Sequence, residues 1–299
     1  MRDETKAATS SETASARYAS IENWSTRELV TGIIESQFAA IGAVQQASPA
    51  LTKAIDAAAE RLRDGGRLIY MGAGTSGRIA TQDGAELPPT FNWPYERAIS
   101  LMAGGERALK HAIEGAEDSE EAAIIDLQAV NVAANDVVIG LAASGNTPYT
   151  ASGLAHARSI GALTIGILNN AGGRVGAVSE IPVLIETGPE LLAGSTRMKA
   201  GTAQKAALNC LSTGVMIKLG FVYRGLMVEM RPTNVKLRER AILMVAELTG
   251  AERAAAEAAL DEAEGVIKLA TVMLSKSIGK ADAQAALDRA NGNLRQALI

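Results

Sequence analysis

Five short runs of mainly apolar residues punctuate the middle of this chain: Arg67 to Gly74, Ala98 to Gly104, Asp136 to Ser144, Leu163 to Asn170 and Ile181 to Thr187. Stretches long enough for a helix separate them. Strands that lack polar alternation are buried on both faces, and parallel strands need crossovers of helical length. The pattern predicts an α/β fold, a doubly wound parallel sheet. Ligands of such sheets bind beyond the carboxyl ends of the strands, where the strand order reverses. In a flavodoxin-like order the first and third strands flank that point, and these two strands run into the most unusual loops of the chain.

The flanks are helical. Residues up to about Ser20 are polar and predict an arm that orders only against a partner surface. Leu29, Ile33, Ile34, Phe38 and Ile41, then Leu51, Ile55, Ala58 and Leu62, recur at helical spacing and predict two amphipathic helices before the Gly65-Gly66 break. After about Arg240 the chain is rich in Ala, Glu and Lys, with breaks at Gly250 and Gly279, as in a small helical bundle. The expected organisation is an N-terminal arm and helix over residues 1–50, a sheet domain over 51–224, and a linker with a C-terminal helical domain over 225–299.

Charge and composition remove several function classes. Lys and Arg number 29 against 33 Asp and Glu, so no positive field is available to attract a nucleic-acid backbone. One cysteine, Cys210, excludes an internal disulfide, and with only two histidines, His111 and His156, a His/Cys metal site is not expected. His111 reads as packed or exposed, and His156 and Cys210 as structural. No segment resembles a signal peptide or reaches membrane-spanning length, so a cytoplasmic protein without membrane contact is expected.

The first strand leads into Gly72-Ala73-Gly74-Thr75-Ser76-Gly77-Arg78, which contains GxGxxG. Glycines let backbone approach an anion and a following helix offers free N–H groups, for a dinucleotide or a monophosphate alike. The hydroxyls of Thr75 and Ser76, and the absence of a ribose-binding acid after Ala103-Gly104-Gly105, favour the monophosphate. The third strand ends in Ser144-Gly145-Asn146-Thr147-Pro148, where Thr147 before proline reads as a helix N-cap. Thr75, Ser76, Gly77, Ser144, Gly145, Asn146 and Thr147 are therefore candidate phosphate ligands. Ser195, Thr196, Arg197 and Lys199 add hydroxyls and cations that can meet phosphate or a carboxylate.

Paired hydroxyl loops on a parallel sheet resemble the sugar isomerase (SIS) fold. A longer series of motifs is similar to the N-acetylmuramic acid 6-phosphate etherase family: Gly72 to Arg78, Asp83-Gly84-Ala85-Glu86-Leu87-Pro88-Pro89-Thr90-Phe91, Ala103 to Glu106, Glu114-Gly115-Ala116-Glu117-Asp118-Ser119, Ala143 to Tyr149, and Gly194 to Lys205. Family members usually carry Ser-Glu-Cys where this chain has Ala85-Glu86-Leu87, which touches the neighbours of the carboxylate and leaves the carboxylate itself. The resemblance implies a phosphosugar substrate, no cofactor and no metal. It also implies a homodimer with sites near the subunit boundary, and a C-terminal domain resembling ubiquitin-associated modules.

The same resemblance implies catalytic roles for Glu86 and Glu117. In an open-chain sugar the C1 aldehyde acidifies the C2 proton, so one carboxylate can act as base while a carboxylic acid protonates the departing lactate oxygen and later activates water. Glu117 is assigned as the C2 base and Glu86 as the acid, which the Pro88-Pro89 stop would hold and which partial desolvation could keep in its acid form. Locally, Glu114, Glu117, Asp118, Glu120 and Glu121 read as an acidic helical run. Rival readings are a non-catalytic phosphosugar sensor related to glucokinase regulatory protein, and a ketose-aldose isomerase; retention of both carboxylates favours the etherase.

Overall fold

The structure, a computed structural model, describes residues 10–299; the first nine residues of the expected arm lie outside it. The chain divides into two compact units, one holding the residues up to Gly84 with Glu96–Ser212, the other Ala85–Tyr95 with Thr213–Ile299. In chain order the elements are α1 (Thr26–Gln46), α2 (Ser48–Arg63), β1 (Leu68–Gly72), α3 (Gly74–Phe91), β2 (Ala98–Met102), α4 (Arg107–Lys110), α5 (Glu120–Ala129), β3 (Val137–Ala142), α6 (Pro148–Ile160), β4 (Leu163–Leu168), α7 (Arg174–Val178), β5 (Ile181–Leu184) and α8 (Lys199–Lys218). A short hairpin, β6 (Val222–Tyr223) and β7 (Leu226–Met227), precedes α9 (Val235–Thr249), α10 (Arg253–Glu262), α11 (Ile267–Lys276), α12 (Lys280–Arg289) and α13 (Leu294–Ala297).

The first unit holds a five-stranded parallel sheet in the order β2-β1-β3-β4-β5. This is the doubly wound α/β architecture expected from the apolar runs, and its switch point falls between β1 and β3. Every residue of β1, β3 and β4 is buried, because α2 covers one face while α6 covers the other. On the α6 face Ile69, Met71, Val138, Leu127 and Leu154 share one apolar cluster. Burying each such side chain stabilises the fold by about 1.5–3 kcal/mol.

The end of the sheet away from the switch point is tied by Asp136. Its carboxylate accepts hydrogen bonds from Arg67 N at 3.0 Å, Arg67 Nη2 at 2.6 Å and Ala133 N at 2.9 Å. Burial pushes the Asp136 pKa up, but these donors outweigh it and hold the group below the usual carboxylate value.

Three expectations are corrected in this unit. The described part of the polar arm does not require a partner: Ser10 Oγ and Ser11 N donate to Asn170 Oδ1 at 2.8 and 3.3 Å, so residues 10 and 11 order against their own chain. Helix α1 forms, with a capping box between Ser25 and Glu28, but its bulky periodic residues do not enter the core. Ile33, Ile34 and Ile41 are exposed and Phe38 is 71% exposed, while Gly32, Ser36, Ala40 and Ala43 are buried. Small residues let a helix approach closely, so the small-residue face packs and the bulky face is left out. Cys210, on α8, is likewise exposed rather than packed.

In the second unit α9 to α13 enclose a core that includes Val228, Met230, Ile242, Val245, Leu260, Ile267, Val272 and Leu287. Gly250 ends α9 in the left-handed region and Gly279 caps α12, at the two breaks expected from the sequence. Gly265 and Ser277, at φ +78° and +52°, add further breaks. Among the described residues no helix is long and apolar enough to cross a membrane.

Candidate active site

The site is built at the carboxyl ends of β1 and β3. Helix α3 begins two residues after β1, at Gly74, and this close start depends on Gly77: a Cβ there would lie 2.6 Å from Gly72 O and 2.6 Å from Met102 Sδ. The β3 loop turns through Gly145 at φ +74°, a conformation that L side chains rarely adopt. Each turn delivers the N-terminus of a helix, α3 or α6, to one cavity. The free N–H groups and the positive end of each helix dipole favour an anion there.

The cavity measures about 360 Å³, and its polar wall is formed by Thr75, Ser76, Ser144, Asn146, Thr147 and Thr196. The β3 loop is braced from within: Asn146 N donates to Ser144 Oγ at 3.1 Å, and Asn146 Oδ1 accepts from Arg174 N at 3.1 Å. Thr147 is the N-cap residue with Pro148 at the first helical position, as expected, yet its hydroxyl makes no capping bond. Ser76 is only 8% exposed. Among the described residues nothing in the protein engages the hydroxyls of Thr75, Ser76 and Thr147, which leaves them to a ligand. Beneath this loop Tyr149 donates to Asp126 Oδ2 at 2.6 Å, and burial, with Asp126 adding to it, raises the phenol pKa far above its ordinary value. Tyr149 is therefore an anchor between α6 and α5.

Glu117 lines the same cavity. The acidic run that contains it is not one helix: Ala116–Asp118 forms a single 3-10 turn after Gly115 at φ +72°, and Ser119 then caps α5 by accepting from Ala122 N at 3.2 Å. The break separates Glu117 from Glu120 and Glu121. Only the latter two belong to a regular helix face, where Glu120 pairs with Arg174 at 2.7 Å.

Glu86 belongs to the second unit, is exposed on α3, and is not among the residues that line the cavity. Of the Ser195–Lys199 segment, only Thr196 faces the cavity. Arg197 is exposed. Lys199 is 7% exposed and donates through Nζ to Pro189 O at 2.7 Å. Buried Glu190 accepts from Lys199 N and Ala200 N at 3.0 and 2.8 Å and so caps the start of α8. Burial lowers the Lys199 pKa, against the opposing pull of Glu190.

Two carboxylates reach the cavity without having been singled out in the sequence, Asp118 and Glu12. Asp118 is the neighbour of Glu117 in the 3-10 turn. Glu12 arrives on the N-terminal arm, which is held by the Asn170 bonds and by Gly194 N donating to Ser11 O at 2.9 Å. No local sequence signal marks Glu12, because its position depends on contacts about 160 residues away. Among the described residues no group of His, Cys, Asp and Glu is placed to hold a metal ion.

Residues 50–158 match the family described as glucokinase regulatory protein N-terminal SIS domain. Curated relatives match almost the whole chain. The N-acetylmuramic acid 6-phosphate etherase of Deinococcus radiodurans is 50% identical over 94% of this chain and 92% of its own length. The protein of the same name from Erwinia tasmaniensis is 48% identical over 96% of this chain and 94% of its own length. That from Geobacillus thermodenitrificans is 45% identical over 93% of this chain and 94% of its own.

Proposed function

The chain belongs to the N-acetylmuramic acid 6-phosphate etherase family, and from that membership we propose that it cleaves the D-lactyl ether of N-acetylmuramic acid 6-phosphate, giving N-acetylglucosamine 6-phosphate and D-lactate. The observation that carries the reading is a cavity in which two helix N-termini and unengaged hydroxyls face Glu117. A phosphate is held at the first, and a carbon acid at the second. The regulatory-protein match is confined to residues 50–158, whereas relatives named as etherases extend over nearly the full chain, which favours the enzyme over a non-catalytic sensor.

Phosphate binds between Thr75-Ser76 and Ser144-Thr147, with Gly77 and Gly145 shaping the turns and Asn146 and Thr196 completing the wall. With the sugar open, Glu117 removes the C2 proton and the electron pair is delocalised onto the C1 aldehyde. The C3–O bond then breaks, and Glu86 protonates the lactate oxygen. Water adds at C3 with Glu86 taking its proton, and Glu117 returns a proton to C2. Each step moves protons and one C–O bond, so no redox partner is called for. Ser195, Arg197 and Lys199 do not line this wall; Glu190 fixes the start of α8 beside it through the amides of Lys199 and Ala200.

Glu86 is not among the residues that line the phosphate cavity, and because the family resemblance implies sites near a subunit boundary, Glu86 is assigned to the site of a second copy in a homodimer. The exposed stripe of Val30, Ile34, Phe38 and Ile41 on α1 supports such an assembly. The name shared by the relatives supports a role in the recycling of cell-wall amino sugars, which we assign to the cytoplasm. Proton NMR in deuterated water tests the assignment: Glu117→Gln loses both C2 exchange and lactate release, by about 10²- to 10⁴-fold, while Glu86→Gln loses lactate release and keeps exchange. Two fully active variants overturn the mechanism.

A further inference from the structure

A second cavity of about 220 Å³ adjoins the phosphate cavity and shares Ala73, Gly74 and Glu117 with it. Its walls are largely apolar, with Met102, Ala103, Ala108, Ala112 and Ile113 among them, and its polar groups are Arg78, His111 and Glu114 beside the shared Glu117. Arg78 stands on the second turn of α3 and is half-buried. Its Nε donates to Leu109 O at 3.0 Å, and its Nη2 donates to Ala108 O at 2.9 Å and His111 O at 3.3 Å. One edge of the guanidinium is thus spent on backbone carbonyls. Among the described residues Nη1 has no hydrogen-bond partner, and neither Glu114 nor Glu117 comes within ion-pair distance of Arg78. A partly desolvated cation without a counter-ion, set in an apolar wall, suits a small anion that carries a methyl group.

We propose that this cavity is the subsite for the lactyl arm, with Arg78 Nη1 donating to the lactyl carboxylate and the Ala108–Ile113 wall taking its methyl group. The inference rests on the etherase reading and deepens it. The lactyl carboxylate is the one negative charge of the substrate remote from phosphate, and Glu117, common to both cavities, stands where C2 and C3 pass from one to the other. The other candidate occupant is the N-acetyl group, which is neutral and makes no use of an unpaired guanidinium. After cleavage the carboxylate departs on D-lactate and the sugar product has nothing to offer Arg78, so this residue separates substrate from the sugar product.

Steady-state kinetics on the full-length protein test the assignment, with Km for N-acetylmuramic acid 6-phosphate set against inhibition by N-acetylglucosamine 6-phosphate and glucosamine 6-phosphate. Arg78→Gln is expected to raise Km about 10- to 100-fold, the equivalent of one charge-assisted hydrogen bond, with both inhibition constants nearly unchanged. Because Arg78 also braces the 108–111 backbone, Ala112→Leu serves as the second variant; it fills the cavity and removes none of the Arg78 bonds. It too should raise Km and spare both inhibitors. Weaker inhibition by N-acetylglucosamine 6-phosphate alone in Ala112→Leu assigns the cavity to the N-acetyl group and overturns the proposal. Unchanged Km in Ala112→Leu overturns it as well, whatever Arg78→Gln does. A parent protein that releases no lactate removes the etherase reading, and the subsite with it, and that failure is visible before any variant is made.

Discussion

Replacing Asn170 by alanine removes the side chain that joins the N-terminal arm to the phosphate loop. Asn170 is 3% exposed. Its Oδ1 accepts from Ser10 Oγ at 2.8 Å and Ser11 N at 3.3 Å, and its Nδ2 donates to Ser11 Oγ at 2.9 Å and Ala143 O at 2.8 Å. Three of these bonds hold the arm. At about 0.5–1.5 kcal/mol net for each, their loss destabilises the docked arm by about 2–4 kcal/mol, or about 30- to 1,000-fold in its opening equilibrium. The informative reporter is the Gly194 amide, which donates to Ser11 O at 2.9 Å and does not touch Asn170. Amide hydrogen exchange should show Gly194 losing protection by that factor in Asn170→Ala, alongside Ser11 itself. The same release carries Glu12 away from the cavity, so kcat/Km for the sugar phosphate should fall. If Ser11 exchanges faster while Gly194 keeps its protection, the arm is held by something other than Asn170 and the reasoning fails.

Ser76→Ala and Thr147→Ala should each weaken binding of N-acetylglucosamine 6-phosphate by about 1–3 kcal/mol in calorimetry, since both hydroxyls are free of internal partners; unchanged affinity in both would remove them from the phosphate site. Asp136→Asn should destabilise the fold by about 3 kcal/mol in chemical denaturation, because it leaves Arg67 and the Ala133 amide short of a charged acceptor. With the folded Asp136 pKa held below its unfolded value, this contribution is fully present above about pH 4 and is lost as pH falls through the folded pKa. Stability that ignores acid in this range would contradict it. On the proposed homodimer, Phe38→Glu, placed on the exposed face of α1, should give a monomer in sedimentation velocity and abolish lactate release, because the proposed contribution of Glu86 to the other copy would be lost; a parent protein that sediments as a monomer refutes the assembly.

The parallel sheet was legible because burial on both faces leaves no polar alternation in Val137–Ala142 or Leu163–Leu168, and that signal is local. The two loops were legible for the same reason, since a strand that must turn into a helix within a few residues writes Gly74, Gly145 and Pro148 into the sequence. Periodicity also predicted α1, but it could not say which face is buried. That choice lies with the tertiary structure, where the small residues Gly32, Ser36 and Ala40 approach the unit and leave Phe38 outside. The acidic run around Glu117 read as a helix because charge carries no information about the left-handed turn at Gly115 that separates it from α5. Glu12 and the free edge of Arg78 had no local signature at all. Each gains its meaning from groups distant in sequence, Asn170 and Gly194 for the first and the carbonyls of residues 108–111 for the second. A residue's own neighbours set its backbone, whereas what its side chain faces is decided by how the sheet brings remote segments together.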